Sequence, residues 1–336
     1  MKVSVVIPVY NKAPFLQECL QSVLSQDLTD FELLAVDDGS TDESLAILRA
    51  VDDPRMRILA TPHNLGPSGA MQVGVDAAVG EYIIRVDADD ACVSGRFSRQ
   101  VAFMDRHPEL GLSGGALSLM HAPDMLRSKP LDHDACRAEL LFGVAVHQPT
   151  AIFRRAALLA SGVRFRDDLP RWGEDWMVQL ELSEHTRFAN LPDALVSYRV
   201  GEQNSGKGRD RTADYTYLMG QAFAHFGLPL EPSDLRYAFM VVKHFERPVD
   251  PVGVEAFRHW LNAVEHAGVG AGRLERKALH ARLARAWDEI CFHTLRFGPA
   301  VVLRYLRHDP RPSWPKLRYL LSSLISGRRY TNDDPS

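Results

Sequence analysis

Residues 81–90 read EYIIRVDADD, an apolar strand that runs directly into three carboxylates, Asp87, Asp89 and Asp90, within four positions. Carboxylates crowded in this way repel one another, so the cluster answers to a cation. A second stretch, FELLAVDDGSTD at 31–42, has the same build: a buried-strand pattern ending in Asp37 and Asp38, ahead of Gly39 and Ser40. If both strands belong to one parallel sheet, their carboxyl ends share an edge, the place where open α/β sheets bind ligands. The ligand expected there is a metal-bound phosphate compound.

Outward from these two stretches, the first two hundred residues alternate strand and helix. Val3 to Val9 is continuous and β-branched, as a strand covered on both faces should be, and Leu16, Leu20, Val23 and Leu24 follow at helical spacing. Ser40 with Glu43 has the spacing of a capping box that opens a helix through Ala50. Arg57 to Ala60 reads as a short third strand. After the turn Asn64 to Gly69, Ala70, Val73, Ala77 and Ala78 suggest a helix that stops at Gly80. A charged helix is expected over 94–111, a small-residue strand over 110–120, a buried strand pair within 140–153 and a helix over 172–184. Two short strands over 187–200 complete the region.

Composition fits a soluble chain of one large or two modest domains: 336 residues, 46% hydrophobic and 24% charged. A formal charge of -4 gives no global attraction to nucleic acid, so no nucleic-acid partner is expected. Cys19, Cys92, Cys136 and Cys291 are scattered without a CxxC pair, which argues against a zinc knuckle or disulfide framework and for a reducing cytoplasm. The N-terminal apolar run is strand-length and lacks a signal-peptide cleavage site. No apolar stretch approaches the roughly 20 residues that span a bilayer. GEQNSGKGRDR at 201–211 reads as a linker, and helical spacing with proline punctuation prevails after it.

VSVVIPVYN, FELLAVDDGSTDES, NLGPSGA, AAVGEYIIRVDADD and WGEDW occur in the order and spacing of family 2 glycosyltransferases, and Lys2 to Arg199 resembles these inverting enzymes of the GT-A fold. The resemblance implies an α/β fold: a Rossmann-like, mostly parallel central sheet flanked by helices. It divides the chain into a catalytic domain at 1–205, with a nucleotide-sugar half over 1–92 and an acceptor half over 93–205. A helical C-terminal domain at 206–336 follows.

By the same resemblance, Asp89 binds the metal, Asp87 contacts the ribose or assists the metal, and Asp90 supports the loop or joins the coordination shell. Hard Mn2+ or Mg2+ suits carboxylate, water and phosphate oxygen. Asp38 resembles the residue that accepts the imide hydrogen of uracil, with a turn-and-cap role before the Ser40 helix as the rival reading. Asp37 holds the loop, Tyr10 either stacks on the base or packs the strand end, and Pro8 and Ala88 fall in the same nucleotide-contacting motifs. Asp175 in WGEDW takes the base position. Trp172 and Trp176 would supply apolar walls and a sugar platform, and Glu174 is a loop partner or alternative base. His147 matches an acceptor-side position, although a lone histidine beside an apolar run is more often a core residue.

Two departures stand out. Met71 and Gln72 replace the Arg-Asn usual in relatives, with Arg85 or a C-terminal residue as candidate substitutes, and Gly201 to Asn204 replaces a histidine or polar series that reaches the diphosphate. Residues 292–330 interleave arginines and lysines with apolar residues, either as a membrane-surface face or as a solvated face of packed helices. The implied activity is metal-dependent transfer of a sugar, from a UDP-sugar or other nucleotide-sugar donor, to a glycan or lipid-linked acceptor of a surface polysaccharide. It would act in the cytoplasm, with peripheral contact at the inner membrane face and self-association as further options. The alternatives are a sugar-phosphate nucleotidyltransferase and a non-catalytic nucleotide-sugar-binding scaffold.

Overall fold

The run VSVVIPV at Val3–Val9 forms strand β1, buried along nearly its whole length. A strand covered by helices on both faces has no solvent side on which polar residues are favoured. The structure, a computed structural model, describes residues 1–166, 173–201, 210–242, 250–294, 298–309 and 313–326. The chain divides into two units, Met1–Leu218 and Met219–Ser336.

In the first unit, β1 leads through helix α1 (Ala13–Leu24) to β2 (Phe31–Asp37), and through α2 (Ser44–Arg49) to β3 (Met56–Ala60). Helix α3 (Gly66–Ala77) then returns the chain to β4 (Tyr82–Arg85) on the other side of β1. After β5 (Ala91–Cys92) come α4 (Arg96–Arg106), β6 (Leu110–Leu119), β7 (Ala122–Arg127) and α5 (His133–Leu140). Strand β8 (Ile152–Arg154), α6 (Arg155–Ser161), α7 (Glu174–Leu182), β9 (Arg187–Tyr198) and α8 (Thr212–His225) complete the order, with α8 running into the second unit.

The described strands make one sheet in the order β3-β2-β1-β4-β8-β6-β9-β5, with β7 on β6. The four strands β3, β2, β1 and β4 are parallel. Strand β8 is antiparallel to both β4 and β6, which makes β6, and the β9 parallel to it, run in the direction of β4. The carboxyl ends of β1, β2, β4 and β9 therefore open on one edge. The amino end of β8 opens there too.

The α/β architecture matches the sequence reading, and several local expectations need correction. Ser40 and Glu43 form no capping box: the helix begins at Ser44 without a side-chain cap from Glu43. Asp42 lies closer and accepts from Ser44 N at 2.9 Å, while Ser40 Oγ accepts from Asn11 N. The apolar run 140–153 is not a strand pair but the end of α5, a loop, one 3-10 turn and the short β8. Its loop stays buried because the Gln179 side chain satisfies the backbone: Oε1 accepts from Ala145 N and Val146 N, and Nε2 donates to Val146 O. The expected strand pair at 187–200 is the single strand β9, which absorbs Pro192 where its register against β6 slips between Gly114 and Ala116. Of the linker 201–211, residues 202–209 lie outside the described residues.

In the second unit, helices α9 (Leu235–Val241), α10 (Pro251–Ala271), α11 (Arg276–Thr294), α12 (Pro299–His308) and α13 (Trp314–Ser326) surround an aromatic core. There Trp287 stacks on Tyr305 with ring centres 4.8 Å apart. Two cations of the stretch 292–330 are not solvated face residues. Arg304 pairs with Glu255 at 2.9 Å, and buried Lys316 bridges Asp288 and Asp309 at 2.5 Å each. Leu303, Arg307, Trp314 and Arg318 are exposed, whereas Arg296, Arg311, Arg328 and Arg329 lie outside the described residues. Among the described residues no helix is long and apolar enough to cross a membrane.

The turn that feeds β4 is built against β1. Ser4 Oγ donates to Glu32 Oε1 at 2.6 Å and accepts from Gly80 N at 2.8 Å, drawing the Gly80 backbone onto the strand. A Cβ at position 80 would lie 2.5 Å from Ser4 N and 2.6 Å from Val3 C. Gly80→Ala is therefore expected to destabilise the fold by about 1–3 kcal/mol, measured by denaturant unfolding.

Candidate active site

The site grows from the edge where β1, β2 and β4 end. At the tip of β2, Asp38 N donates to Val9 O at 2.8 Å, which locks the two strand ends together. The Asp38 side chain is 2% exposed and points at the start of α3. Its Oδ1 accepts from Leu65 N at 2.9 Å and Thr61 Oγ1 at 2.8 Å, and its Oδ2 accepts from Gly66 N at 2.8 Å. A carboxylate on the orphan amides of a helix start is favoured by hydrogen bonding and by the helix dipole. Asp38 thus caps α3, not the helix after Ser40, and Oδ2 retains an acceptor position. Asp37 is also buried, and its Oδ1 has no hydrogen-bond partner. Tyr10, just past β1, is 45% exposed; Pro8 is partly exposed and Ala88 is buried.

The turn after β4 carries the acid cluster. Asp90 N donates to Asp87 O at 3.1 Å, which folds the turn, and each carboxylate then meets a different cation or donor. Asp87 Oδ1 accepts from Arg85 Nε at 2.9 Å, and Asp89 Oδ2 accepts from Lys12 Nζ at 2.5 Å. Asp90 Oδ1 accepts from the Arg199 backbone N at 2.9 Å. Arg199 stands just past β9 and clamps the turn further: its Nε donates to Asp89 O at 3.0 Å, while its guanidinium meets Glu18 and lies over Phe15 of α1.

Asp90 is buried at 2% exposure and its Oδ2 has no partner. Burial, and then the charges of Asp87 and Asp89, push its pKa up to about 8. The turn thus holds more carboxylate than the surrounding cations offset. Among the described residues no three His, Cys, Asp or Glu side chains converge as a metal cage. Mg2+ or Mn2+ bound with phosphate needs no such cage, because it takes one or two carboxylates and fills its shell with water and phosphate oxygen. The acid turn, with more than one carboxylate at the sheet edge, has oxygen donors of the kind such an ion takes.

At the start of α7, Gly173 has φ 82° and its Cβ position lies 2.4 Å from Leu218 Cδ1, so glycine is required there. Glu174 is buried and Asp175 partly buried. Burial raises both carboxyl pKa values, Glu174 further through the charge of Asp175, while Arg85 acts most strongly to hold Asp175 ionised. Arg85 is itself buried, and the charges of Asp87, Glu174 and Asp175 all act on it. It therefore acts on both the acid turn and the start of α7. Met71 is fully buried, and Gln72 accepts from Phe165 N.

Trp176 corrects an expectation. It is 2% exposed and its Nε1 donates to Leu140 O at 2.6 Å, so it ties α7 to the end of α5 and presents no face to a sugar. Trp172 lies outside the described residues. His147 precedes β8 at the same sheet edge, with its Nε2 on Arg127 O at 3.1 Å. Burial and nearby Lys129 push its pKa down to about 3, which keeps it neutral. Sequence reading missed Lys12, and it placed Arg199 at the end of the resembling stretch without its clamp on the acid turn. Lys12 directly follows the PVYN of the first motif, and Arg199 closes the YR at the end of β9, so proximity to motifs was the available signal.

Comparison with known proteins finds sequence relatives over about three-fifths of the chain and fold neighbours over nearly all of it. The family model Glycosyl transferase family 2 matches residues 4–120. The amylovoran biosynthesis glycosyltransferase AmsE of Erwinia amylovora is 30% identical over 213 residues, covering 61% of this chain and 79% of the relative. The succinoglycan biosynthesis protein ExoO of Rhizobium meliloti is 30% identical over 217 residues, covering 60% of this chain and 61% of the relative. Among solved structures, S. aureus TarS 1-349 in complex with UDP-GlcNAc superposes with a TM-score of 0.58 at 20% identity, over 98% of this chain and 93% of that one. The mannosyltransferase PcManGT of Pyrobaculum calidifontis, in complex with GDP-Man and Mn2+, gives 0.50 at 17% identity, over 97% and 86%.

Asp38→Ala should leave the Leu65 and Gly66 amides buried without partners. Stability is expected to fall by about 1–3 kcal/mol in denaturant unfolding, with Asp38→Asn recovering part of the loss.

Proposed function

The chain belongs to glycosyl transferase family 2, and from that premise we propose that it is an inverting, metal-dependent glycosyltransferase that uses a UDP-sugar to build a surface or secreted polysaccharide. The observation that carries the reading is the shared sheet edge. Tyr10 and Asp38 end β1 and β2, the acid turn of Asp87, Asp89 and Asp90 follows β4, and Arg85 links that turn electrostatically to Glu174 and Asp175. Nucleotide, diphosphate and acceptor can be held there in sequence.

In this reading the base lies against Tyr10, and its imide N–H donates to the remaining acceptor position on Asp38 Oδ2. Pro8 and Ala88 border the nucleotide, and Asp37 supports the loop. Asp87 faces the ribose, Asp89 holds Mn2+ or Mg2+, and Asp90 supports the turn. When bound, the ion supplies Lewis-acid stabilisation of the charge that develops on the diphosphate.

Asp175 accepts the proton of the acceptor hydroxyl as that oxygen forms its bond to the anomeric carbon and the bond to the diphosphate breaks. Burial and the charge of Asp175 push the Glu174 pKa up to about 8, and in this reading Glu174 holds the proton while Asp175 serves ionised. His147, neutral and spent on a backbone carbonyl, borders the acceptor side.

Support for a polysaccharide product comes from the amylovoran and succinoglycan enzymes, and support for a UDP-sugar donor from TarS with UDP-GlcNAc. A glycan or lipid-linked acceptor fits both. Exposed Leu303, Arg307, Trp314 and Arg318 suit peripheral contact with an anionic membrane, where apolar and cationic side chains bind together.

Two tests follow. In a thermal-shift screen of nucleotides and nucleotide sugars with Mn2+, UDP or a UDP-sugar should raise the melting point most, and Asp89→Ala should abolish the gain. Release of pyrophosphate from a sugar phosphate and a nucleotide, in place of UDP from the donor, would turn the assignment to a nucleotidyltransferase. Asp175→Asn should bind UDP as the wild type does yet lower kcat by about 10²- to 10⁴-fold. Because transfer needs Asp175 ionised and burial raises its pKa, kcat should fall as pH drops through that raised value. A pH profile without that limb would move the base role elsewhere.

A further inference from the structure

One cation of the site has no task in the scheme above. Lys12 leaves the end of β1 with its backbone N–H fixed on Ser44 Oγ at 2.9 Å. Its Nζ crosses to Asp89 Oδ2 at 2.5 Å, spanning the gap between the loops after β1 and β4. The lysine side chain is 22% exposed and the aspartate 12%, so solvent and salt screen this pair less than one on the open surface.

An ammonium and a divalent cation compete for the same oxygen lone pairs. Both at contact distance from Asp89 would place like charges against each other. A lysine differs here from an arginine, because its four-carbon stem is flexible and its three donors have no fixed plane. The head group can therefore change partner while the Lys12 backbone stays on Ser44.

Resting on the reading that Asp89 holds the donor's cation, we infer that Lys12 is an exchangeable internal counter-cation. It neutralises Asp89 in the donor-free protein and moves to the diphosphate when donor and metal enter. The free protein then holds metal weakly. The arriving diphosphate offers Lys12 a second anionic partner and frees Asp89 for the ion. Metal and nucleotide should bind with positive coupling, and reciprocity requires each to strengthen the other by the same factor.

The readout is that factor: the Kd for Mn2+ without UDP divided by the Kd with saturating UDP, from the electron paramagnetic resonance signal of free Mn2+. Lys12→Met keeps most of the apolar stem and removes the charge. It should bind Mn2+ more tightly than the wild type when UDP is absent and reduce the coupling factor about tenfold, equivalent to about 1.4 kcal/mol. Lys12→Gln should do the same and serves if Lys12→Met fails to fold by circular dichroism. A coupling factor as large in the variant as in the wild type overturns the role of Lys12 and leaves the glycosyltransferase reading intact. A wild type that binds Mn2+ neither with nor without UDP overturns both.

Discussion

The parallel alignment of β2, β1 and β4 is the constraint from which the site follows. Strand β1 lies between the other two, and the chain leaves it toward β2 on one side and returns to β4 on the other. At such a switch point the loops after neighbouring strands diverge and leave a crevice at the carboxyl edge. The register of β1 against β2 and β4 carries Tyr10, Asp38 and the acid turn to that edge together. The buried interior supplies the driving force, since Val3, Val5, Ile7, Leu33, Ile84 and their neighbours form one apolar cluster. The carboxylates of the candidate site sit at or just past the strand ends, and Asp37, Asp38, Asp89 and Asp90 are themselves buried there.

Legibility in the sequence followed the same boundary. The parallel half was readable because each strand is a continuous apolar run and each crossover helix has its own periodicity: Val3–Val9, Phe31–Asp37 and Met56–Ala60 lie within one residue of their expected bounds. Residues 140–153 read as strand because a buried loop and a buried strand share the same apolar pattern. Their backbone groups are satisfied by Gln179, far away in sequence, and no local pattern announces that partner. Trp176 misled in the same way. An aromatic beside an acid pair looks like a sugar platform, yet only tertiary packing decides that its indole turns inward to Leu140 O.

The cations of the site were the hardest part to foresee. Arg199 lies 110 residues from Asp89, and Lys12 lies 77 from it. Both meet the acid turn because β9 and β1 end at the same edge as β4. Their residue types alone carry no such signal, since surface lysines and arginines are common in any soluble chain. The geometry becomes predictable once the strand directions are known, because β8, running against its neighbours, sets β9 in the direction of β4.

Arg85 shows how one buried charge can separate the tasks of several acids. Its Nε is fixed on Asp87, while its positive charge also acts on Glu174 and Asp175. Its Nη1 is buried without a hydrogen-bond partner, so the remaining charge is not dispersed into a further bond. Two adjacent carboxyls beside one cation cannot both ionise cheaply, because each raises the cost of charging the other. Burial raises the pKa of both; Arg85 is the strongest influence opposing burial at Asp175, while at Glu174 the charge of Asp175 outweighs that of Arg85. The residue that holds Asp87 of the acid turn thus also acts on the acid pair at the start of α7. In the proposed function, the donor end and the acceptor end of the site share that single guanidinium.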